Sequence, residues 1–591
     1  MGSRLKRLGF SLVCVSAVLA GGEALAAERQ AQVQGVQDRT LRAEIERAIT
    51  QEKAPPESRV EARRRARTAA DSATALLRSE GYYDYDVEPD IVGEGDHPQP
   101  IVKIDPGPRS RVSAATIEWT GAPPPPDIAA AAEKALALPS GSPGRAADVI
   151  AAEGRALAAV QQRGYADAKV ESRAVVVDHA DHTLKPTYRI AAGALVRLDG
   201  LKVNSKGRTR RAWLNHLVPW KSGQTYDPKT VAELERRLLD TQVYDSVTVA
   251  LAPQPNADGL RPVQVDLADR SRNTFSASAG YSSTEGGDLD LKLSQYNRFG
   301  VGDTLTYEAR YGAIDSKLGV EWALPHFWRP GQTLTTDADF FQTVTNAYRE
   351  TGVQLLGDLT QRYGKTTYFT RGASVTASQV EDFETGVINI VTFRLLGAFA
   401  WDRSDNPLDP HTGFKLEARA EPTLITEDEN LVYLKTQAQF SYYVPFDLFG
   451  DTVLATRLHV GTILGGDIPG VPASDRYYAG GGGSVRGYEY QSVGPHYPDN
   501  TPIGGLSLVE ASVELRHKLT SALGGVLFVD TGTVSEQVEP DFRHTLTSVG
   551  VGLRYNLGFA PIRADIAFPL QQANGASQQA FQVYLSIGQS F

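Results

Sequence analysis

The sequence predicts an α+β arm of three repeated modules followed by an all-β transmembrane barrel of about 16 antiparallel strands. Three observations carry this expectation. An export signal opens the chain. A helix–turn–strand–strand pattern then recurs about every 80 residues as far as Arg270. Beyond it, apolar and polar residues alternate in a two-residue period with no helical period at all.

The export signal consists of Arg4, Lys6 and Arg7, an apolar run from Leu8 to Leu19, and the small-residue site Ala24-Leu25-Ala26. This is the anatomy of a cleaved secretory peptide, expected over residues 1–26, and it is too short to span a membrane as a helix. Val13 stands before Cys14, where a lipoprotein signal needs a small residue. The only cysteine and the only methionine lie in this segment. A mature chain without thiols cannot be held by disulfides, so closed sheets, a core or a membrane must stabilise it. Losing Arg4, Lys6, Arg7 and Glu23 moves the formal net charge from −10 to −12. With no basic domain standing out, this argues against a nucleic-acid binder.

The arm divides at 27–107, 108–193 and 194–270. Its modules carry helices Thr68–Glu80, Ala147–Arg163 and Pro228–Gln242. These run into Gly81-Tyr82, Gly164-Tyr165 and Val243-Tyr244, and two short strands come after each. Glycine after a helix allows the left-handed turn into a strand, and the tyrosines read as core residues. Val112–Trp119 and Leu195–Val203 read as opening strands of the second and third modules; the first offers only Val33–Val36. Pro123–Pro126 reads as a stiff extended spacer. Asp178-His179-Ala180-Asp181-His182 falls between two strands, and its spacing is a weak metal pattern.

The barrel is expected over 271–591. In Asn273–Tyr281, Phe275, Ala277, Ala279 and Tyr281 alternate with polar or glycine residues, and Ser276 to Ala279 are all small. Barrel strands place such apolar sets toward lipid and small or polar sets toward the lumen. Roughly 320 residues at about 20 per strand and turn give about 16 strands, an even number. Gly465–Gly505 is too long for a turn and reads as one large loop. At the end, Phe581, Val583, Leu585, Ile587 and Phe591 share one parity, and Gln582, Tyr584, Ser586, Gly588 and Ser590 share the other. A closing aromatic strand patterned to Phe591 looks like the C-terminal signal of bacterial outer-membrane proteins.

The large loop contains Gly480-Gly481-Gly482-Gly483-Ser484-Val485-Arg486-Gly487-Tyr488. No phosphate-loop lysine stands after the glycines. Arg486 is a fork-shaped donor that can grip a carboxylate at two points. Candidate partners are Glu510, Glu514 and Asp530; a solvated loop arginine is the alternative. Trp401-Asp402-Arg403-Ser404-Asp405-Asn406-Pro407-Leu408-Asp409-Pro410-His411-Thr412-Gly413 reads as a strand end and a turn fixed by two prolines. No nucleophile elbow occurs, and no catalytic residue, metal or cofactor is expected.

Together the run GGGGSVRGY, the turn WDRSDNPLDPHTG, the strand FVDTG and the closing aromatic resemble the BamA/TamA superfamily of outer-membrane assembly factors. The three repeats resemble its POTRA domains, and three of them are most similar to the TamA branch. The resemblance implies an outer-membrane protein of a Gram-negative bacterium with its arm in the periplasm. It implies a factor that helps barrel proteins, including autotransporters, insert and fold. Its implied partners are unfolded outer-membrane clients, the lipid bilayer and a TamB-like periplasm-spanning protein. The expected loop lock has Arg486, with Gly487 and Tyr488 beside it, folded into the lumen and paired with Asp530 or Glu514, since burying such a charge needs a partner. The small residues Ser276–Ala279 of the strand bearing Phe275, and the last strand stopping at Phe591, agree with a gated seam between the two. A two-partner-type polypeptide secretion pore is the alternative.

Overall fold

The computed structural model describes residues 28–587 apart from 50, 53–54, 94–97, 205–206, 284, 428–429, 448–449, 557–560 and 574–579. The expected signal peptide and Phe591 lie outside the described residues. The chain forms two compact units. One comprises residues up to 198 together with 223–229, and the other comprises 199–222 and everything from 230 onward.

The first unit holds two helix-on-sheet modules. In the first, Gln32–Gln34 lies parallel to Gln99–Asp105, which pairs antiparallel with Asp86–Val92. Helices Arg39–Ala48 and Arg59–Glu80 cover this sheet, burying Ile45, Ala73 and Leu77 against Val102 and Ile104. The second helix starts at Arg59, earlier than the expected Thr68, because Ser58 caps it by accepting from the Glu61 N–H at 3.2 Å. In the second module, Arg111–Val112 and Thr116–Trp119 both run parallel to Thr183–Ala191. Lys169–Asp178 completes that sheet, and helices Pro126–Leu136 and Ala146–Gln161 pack on it. The tetraproline is therefore only partly a spacer. Pro126 opens a helix, where its missing N–H costs nothing.

Each tyrosine turn latches the chain where it leaves the module. The Gly81 carbonyl accepts from the Ser110 N–H at 2.9 Å, the Gly164 carbonyl from Val196 at 2.8 Å, and the Val243 carbonyl from Arg270 at 3.0 Å. Gly81 adopts a φ of +91°, and a Cβ there would lie 2.7 Å from the Gly144 carbonyl oxygen. The third module has no glycine at this turn, and Gln242 takes the left-handed conformation one residue earlier. The first two modules are also clasped by side chains. Glu80 accepts from Arg109 and Arg145 at 2.6 and 2.9 Å. Asp84 faces His179 Nδ1 at 2.5 Å and His182 Nδ1 at 2.8 Å. The histidines that hinted at a metal are thus committed to a carboxylate of the neighbouring module.

In the second unit, the sheet Leu198–Val203, Arg261–Asp269, Tyr244–Leu251 abuts one end of the barrel. Asp240 forms an ion pair with Arg362, and His326 Nε2 lies 2.7 Å from the Arg237 carbonyl. Asn297 donates to Thr209 at 2.7 Å, and Trp213 lies over Gly302. These contacts mark the turns near 297–303, 326–331 and 364–366 as the arm-side end.

The barrel itself is closed by sixteen strands, each antiparallel to its neighbours, from Asn273–Ser282 to Gln582–Ile587. Its outer wall exposes Phe275, Leu395, Phe440, Leu527 and Leu585, while Arg457, Glu514, Asp530 and Asp565 are buried inside. That inversion of a water-soluble core is what a lipid-facing wall and a polar lumen require. Among the described residues no helix is long and apolar enough to cross a membrane.

Candidate functional site

The loop between strands Thr452–Leu464 and Ser507–Lys518 folds back into the lumen. Its floor is a hydrophobic cluster in which Val471, Tyr477, Val485, Tyr488 and Val493 pack against Ile425, Ile463 and Leu508 of the wall. Glycine makes that approach possible. A Cβ on Gly461 would lie 2.6 Å from the Tyr477 ring, and one on Gly532 would lie 2.7 Å from Val485.

Arg486 is 2% exposed and sits at the centre of an ionic cluster. Its Nε and Nη2 donate to Asp530 at 2.6 and 2.9 Å, a two-point grip. Nη1 lies 2.8 Å from Glu514 and 3.0 Å from Asp565. The Arg486 backbone N–H also reaches Asp530, at 3.2 Å. The guanidinium lies 3.4 Å from the Phe528 ring centroid, and Gly550 leaves room for that ring. Burying so many charges is favourable only when each is paired. Arg516 pairs with Glu514 at 2.8 Å, while Arg554 and Arg563 pair with Asp565. Glu510 does not join this cluster. It accepts from Ser484 and faces His459 at 2.9 Å.

The residues flanking Arg486 are fixed just as closely. Gly487 donates its N–H to the Tyr584 hydroxyl at 3.0 Å and has a φ of +93°. Tyr488 donates to the Thr547 carbonyl at 2.8 Å. Arg457 donates to the Gly483 and Ser484 carbonyls at 2.8 and 3.1 Å. Gly482 donates to Glu285 at 3.1 Å, in the hairpin just after the first barrel strand.

A second clasp holds the other side of the loop, and sequence reasoning missed it. Asp475 takes two 2.7 Å bonds from Arg394 and one from the Tyr433 hydroxyl. Lys435 donates to the Asp475 carbonyl at 2.7 Å. Arg476 beside it is buried among backbone acceptors, the carbonyls of Val471, Ile468 and Ile503. The loop is thereby braced between two walls, strands Gly386–Asp402 and Asn430–Pro445 on one side and strands from Ser507 to Ile587 on the other. Asp565 and Tyr584 were also absent from the expected lock.

At the seam, Gln582–Ile587 makes six ladder pairs with Pro561–Pro569 but, among the described residues, two with the first strand: Tyr281 with Leu585, and Ser282 with Tyr584. Ser283 adds hydrogen bonds to Val583 and Gln582 at 2.9 Å. Phe275, Tyr281, Phe581, Val583 and Leu585 are exposed on the outer wall, whereas Gln582 and Tyr584 are buried inside. Ile587 ends the last described strand. Asp402 and Asp405 of the two-proline turn accept backbone N–H groups within that turn. Among the described residues no cluster of His, Cys, Asp and Glu is arranged to hold a metal ion.

Residues 297–591 match the Omp85 superfamily domain. The chain is 22% identical over 418 residues to the outer membrane protein assembly factor BamA of Neorickettsia risticii, covering 66% of this chain and 54% of that one. It is 21% identical over 581 residues to BamA of Neisseria meningitidis serogroup B, covering 87% and 72%. The chain thus spans about half the length of the first of these relatives. Among solved structures, BamA from Haemophilus ducreyi lacking POTRA domains 1–3 superposes with a TM-score of 0.67 at 19% identity, covering 80% of this chain and 99% of that one. That likeness concerns the fold.

Proposed function

Residues 297–591 are an Omp85 superfamily domain, which makes this chain a member of that superfamily, and from this premise we propose that it is an assembly factor that inserts and folds other barrel proteins in the outer membrane. The barrel sits in the outer membrane of a Gram-negative envelope with its arm in the periplasm. The reading rests above all on the seam. The last strand forms six ladder pairs on one edge and two on the other among the described residues. An open sheet edge is untenable in lipid, because its N–H and C=O groups lack partners. With two ladder pairs against six among the described residues, this seam is the place where the barrel parts at lowest cost, and its edges can then be completed by a strand of the client. Autotransporters are the client class proposed.

The braced loop supplies the complementary part. Arg486 and Asp475 tie it to opposite walls, so the lumen stays plugged and the barrel stays round while the seam alone gives way. We read the three arm modules as POTRA domains spanning 27–107, 108–193 and 194–270. Their sheet edges are the docking surface for clients and for a TamB-like, periplasm-spanning partner. A further role falls to the C-terminal strand and Phe591, proposed as the address read by the cell's own barrel machinery.

The test is reconstitution. Proteoliposomes carrying the full protein should convert a urea-unfolded client barrel to its heat-modifiable form several-fold faster than empty vesicles. They should pass only small ionic currents. Large fluctuating currents without client folding would instead indicate a secretion pore.

A further inference from the structure

The outer wall of the barrel carries a groove with a lipid-facing arginine beside its low end. Its lower part crosses four neighbouring strands: Thr367–Asp382, Gly386–Asp402, Gly413–Thr426 and Asn430–Pro445. Along one ladder row, Arg371 stands beside Gly397, Gly397 beside Ala420, and Ala420 beside Thr436. On the next row Phe399 stands beside Ala418, and Ala418 beside Ala438. Arg371 shares the parity of the exposed Phe369 and Val375, Gly397 and Phe399 that of Leu395, Ala418 and Ala420 that of Pro422, and Thr436 and Ala438 that of Val432 and Phe440, so all face lipid.

Small side chains on two adjacent rows make a shallow trough, open to the lipid side, with a volume of about 810 Å³. It runs from Phe369 and Phe399 over Gly397, Ala418, Ala420 and Ala438 to Val460 and the segment Val538–Pro540. A Cβ on Gly397 would meet nothing closer than the Ala420 carbonyl oxygen at 3.8 Å, so no neighbour fills the space.

Arg371 is not part of the trough's lining but stands beside Gly397 at its low end, near the periplasmic end of its strand. It is exposed, and among the described residues its side chain makes no hydrogen bond or ion pair. A guanidinium on a lipid-facing wall is unfavourable unless it reaches an anion or the interface. Its row neighbours Leu359 and Gly397 offer no carboxylate. The strands tilt, so the row rises from Arg371 toward the outer face.

We propose that this groove is a binding site for one phospholipid of the periplasmic leaflet, its phosphate held by Arg371 and an acyl chain laid over Gly397, Ala418, Ala420 and Ala438. The orientation matches the leaflet: head low at the interface, tail rising into the bilayer core. The site lies on the wall away from the seam, so a resident lipid would stiffen the fixed half of the barrel. The inference rests on the barrel's orientation in the outer membrane and not on its proposed activity.

The experiment is native mass spectrometry of the full protein, delipidated in detergent and titrated with palmitoyl-oleoyl phosphatidylglycerol. The wild type should retain one lipid of discrete mass. Arg371→Gln, which removes the charge, and Ala420→Phe, which fills the trough, should each weaken that binding by roughly tenfold or more. Arg371→Lys should weaken it less. Heat-modifiable mobility shows that each variant is folded, and Arg371→Leu replaces the glutamine variant should that one fail. Wild-type lipid retention by a folded variant lacking the charge, or by the filled variant, overturns the proposal.

Discussion

Arg486 grips Asp530 at two points, 2.6 and 2.9 Å, from a loop that begins and ends on strands other than the one bearing Asp530. The pair is buried on both sides, with Arg486 at 2% and Asp530 at 0% exposure. Removing one partner from such a pair strands the other charge and costs about 3–5 kcal/mol.

Arg486→Ala should therefore release the loop without dismantling the barrel. The cluster keeps Arg516, Arg554 and Arg563 as counter-ions, so the protein should still reach the membrane. Limited proteolysis within 465–506 should become at least several-fold faster, and client assembly should fall. Arg486→Lys should behave nearly as badly, because an ammonium cannot reproduce the two-point grip. Unchanged protease resistance in both variants would show that the loop is held elsewhere, with Asp475 the first place to look.

The clasp at Asp84 gives a pH dependence. The hydrogen bond from His179, then that from His182, holds the Asp84 carboxyl below the ordinary aspartate value. A carboxylate depressed on folding contributes stability above its unfolded pKa of about 3.9 and loses it as pH falls through the lower folded value. The contact between the first two modules should thus hold at neutral pH and loosen below about pH 4. Spin labels on the two modules should report a narrow distance distribution at pH 7 that broadens at pH 3. Asp84→Ala should be broad at both. A wild-type distribution that stays narrow at pH 3 contradicts the clasp.

Deletion of 27–193 should leave a barrel that still shifts its gel mobility on heating. The third module is packed on the barrel through Arg362 and Asp240 and through His326 and Arg237. The truncated protein should lose its periplasmic partner in an envelope pull-down. Full partner capture would move the docking surface to the third module or to the barrel.

Legibility in the sequence depends on the range of each interaction. Alternation placed Gln582 and Tyr584 opposite Phe581, Val583 and Leu585, because strand parity is local and needs no knowledge of the fold. The same parity made Glu514 and Asp530 candidates, since both lie on strands soon after the loop. Asp565 and Tyr584 reach Arg486 and Gly487 only through closure of the barrel, which no local pattern encodes. Asp475 is set by the path of an irregular loop and carries no periodic signal. The first half of helix Arg59–Glu80 was hidden for another reason. Its buried face is built from Ala62, Ala66, Ala69 and Ala73, with arginines between them, and alanine gives a weak hydrophobic stripe.

Deleting Phe591 separates address from architecture. One aromatic is worth about 2–3 kcal/mol of burial, too little to unfold a barrel of this size. Insertion in cells should slow and periplasmic degradation should rise, while protein that does insert should melt near the wild-type temperature. Normal insertion of the truncated chain would remove the signal role.

The seam decides the account. Tyr281 and Leu585 face one another in its ladder, at a spacing antiparallel strands share with disulfides. The only natural cysteine, Cys14, lies in the expected signal peptide, so Tyr281→Cys with Leu585→Cys leaves one possible bridge. The measurement is the rate at which proteoliposomes of this double variant fold a client barrel, oxidised and then reduced. The account predicts that oxidation abolishes the acceleration and that a thiol reductant restores it. Client folding at the full rate with the seam covalently closed would contradict it.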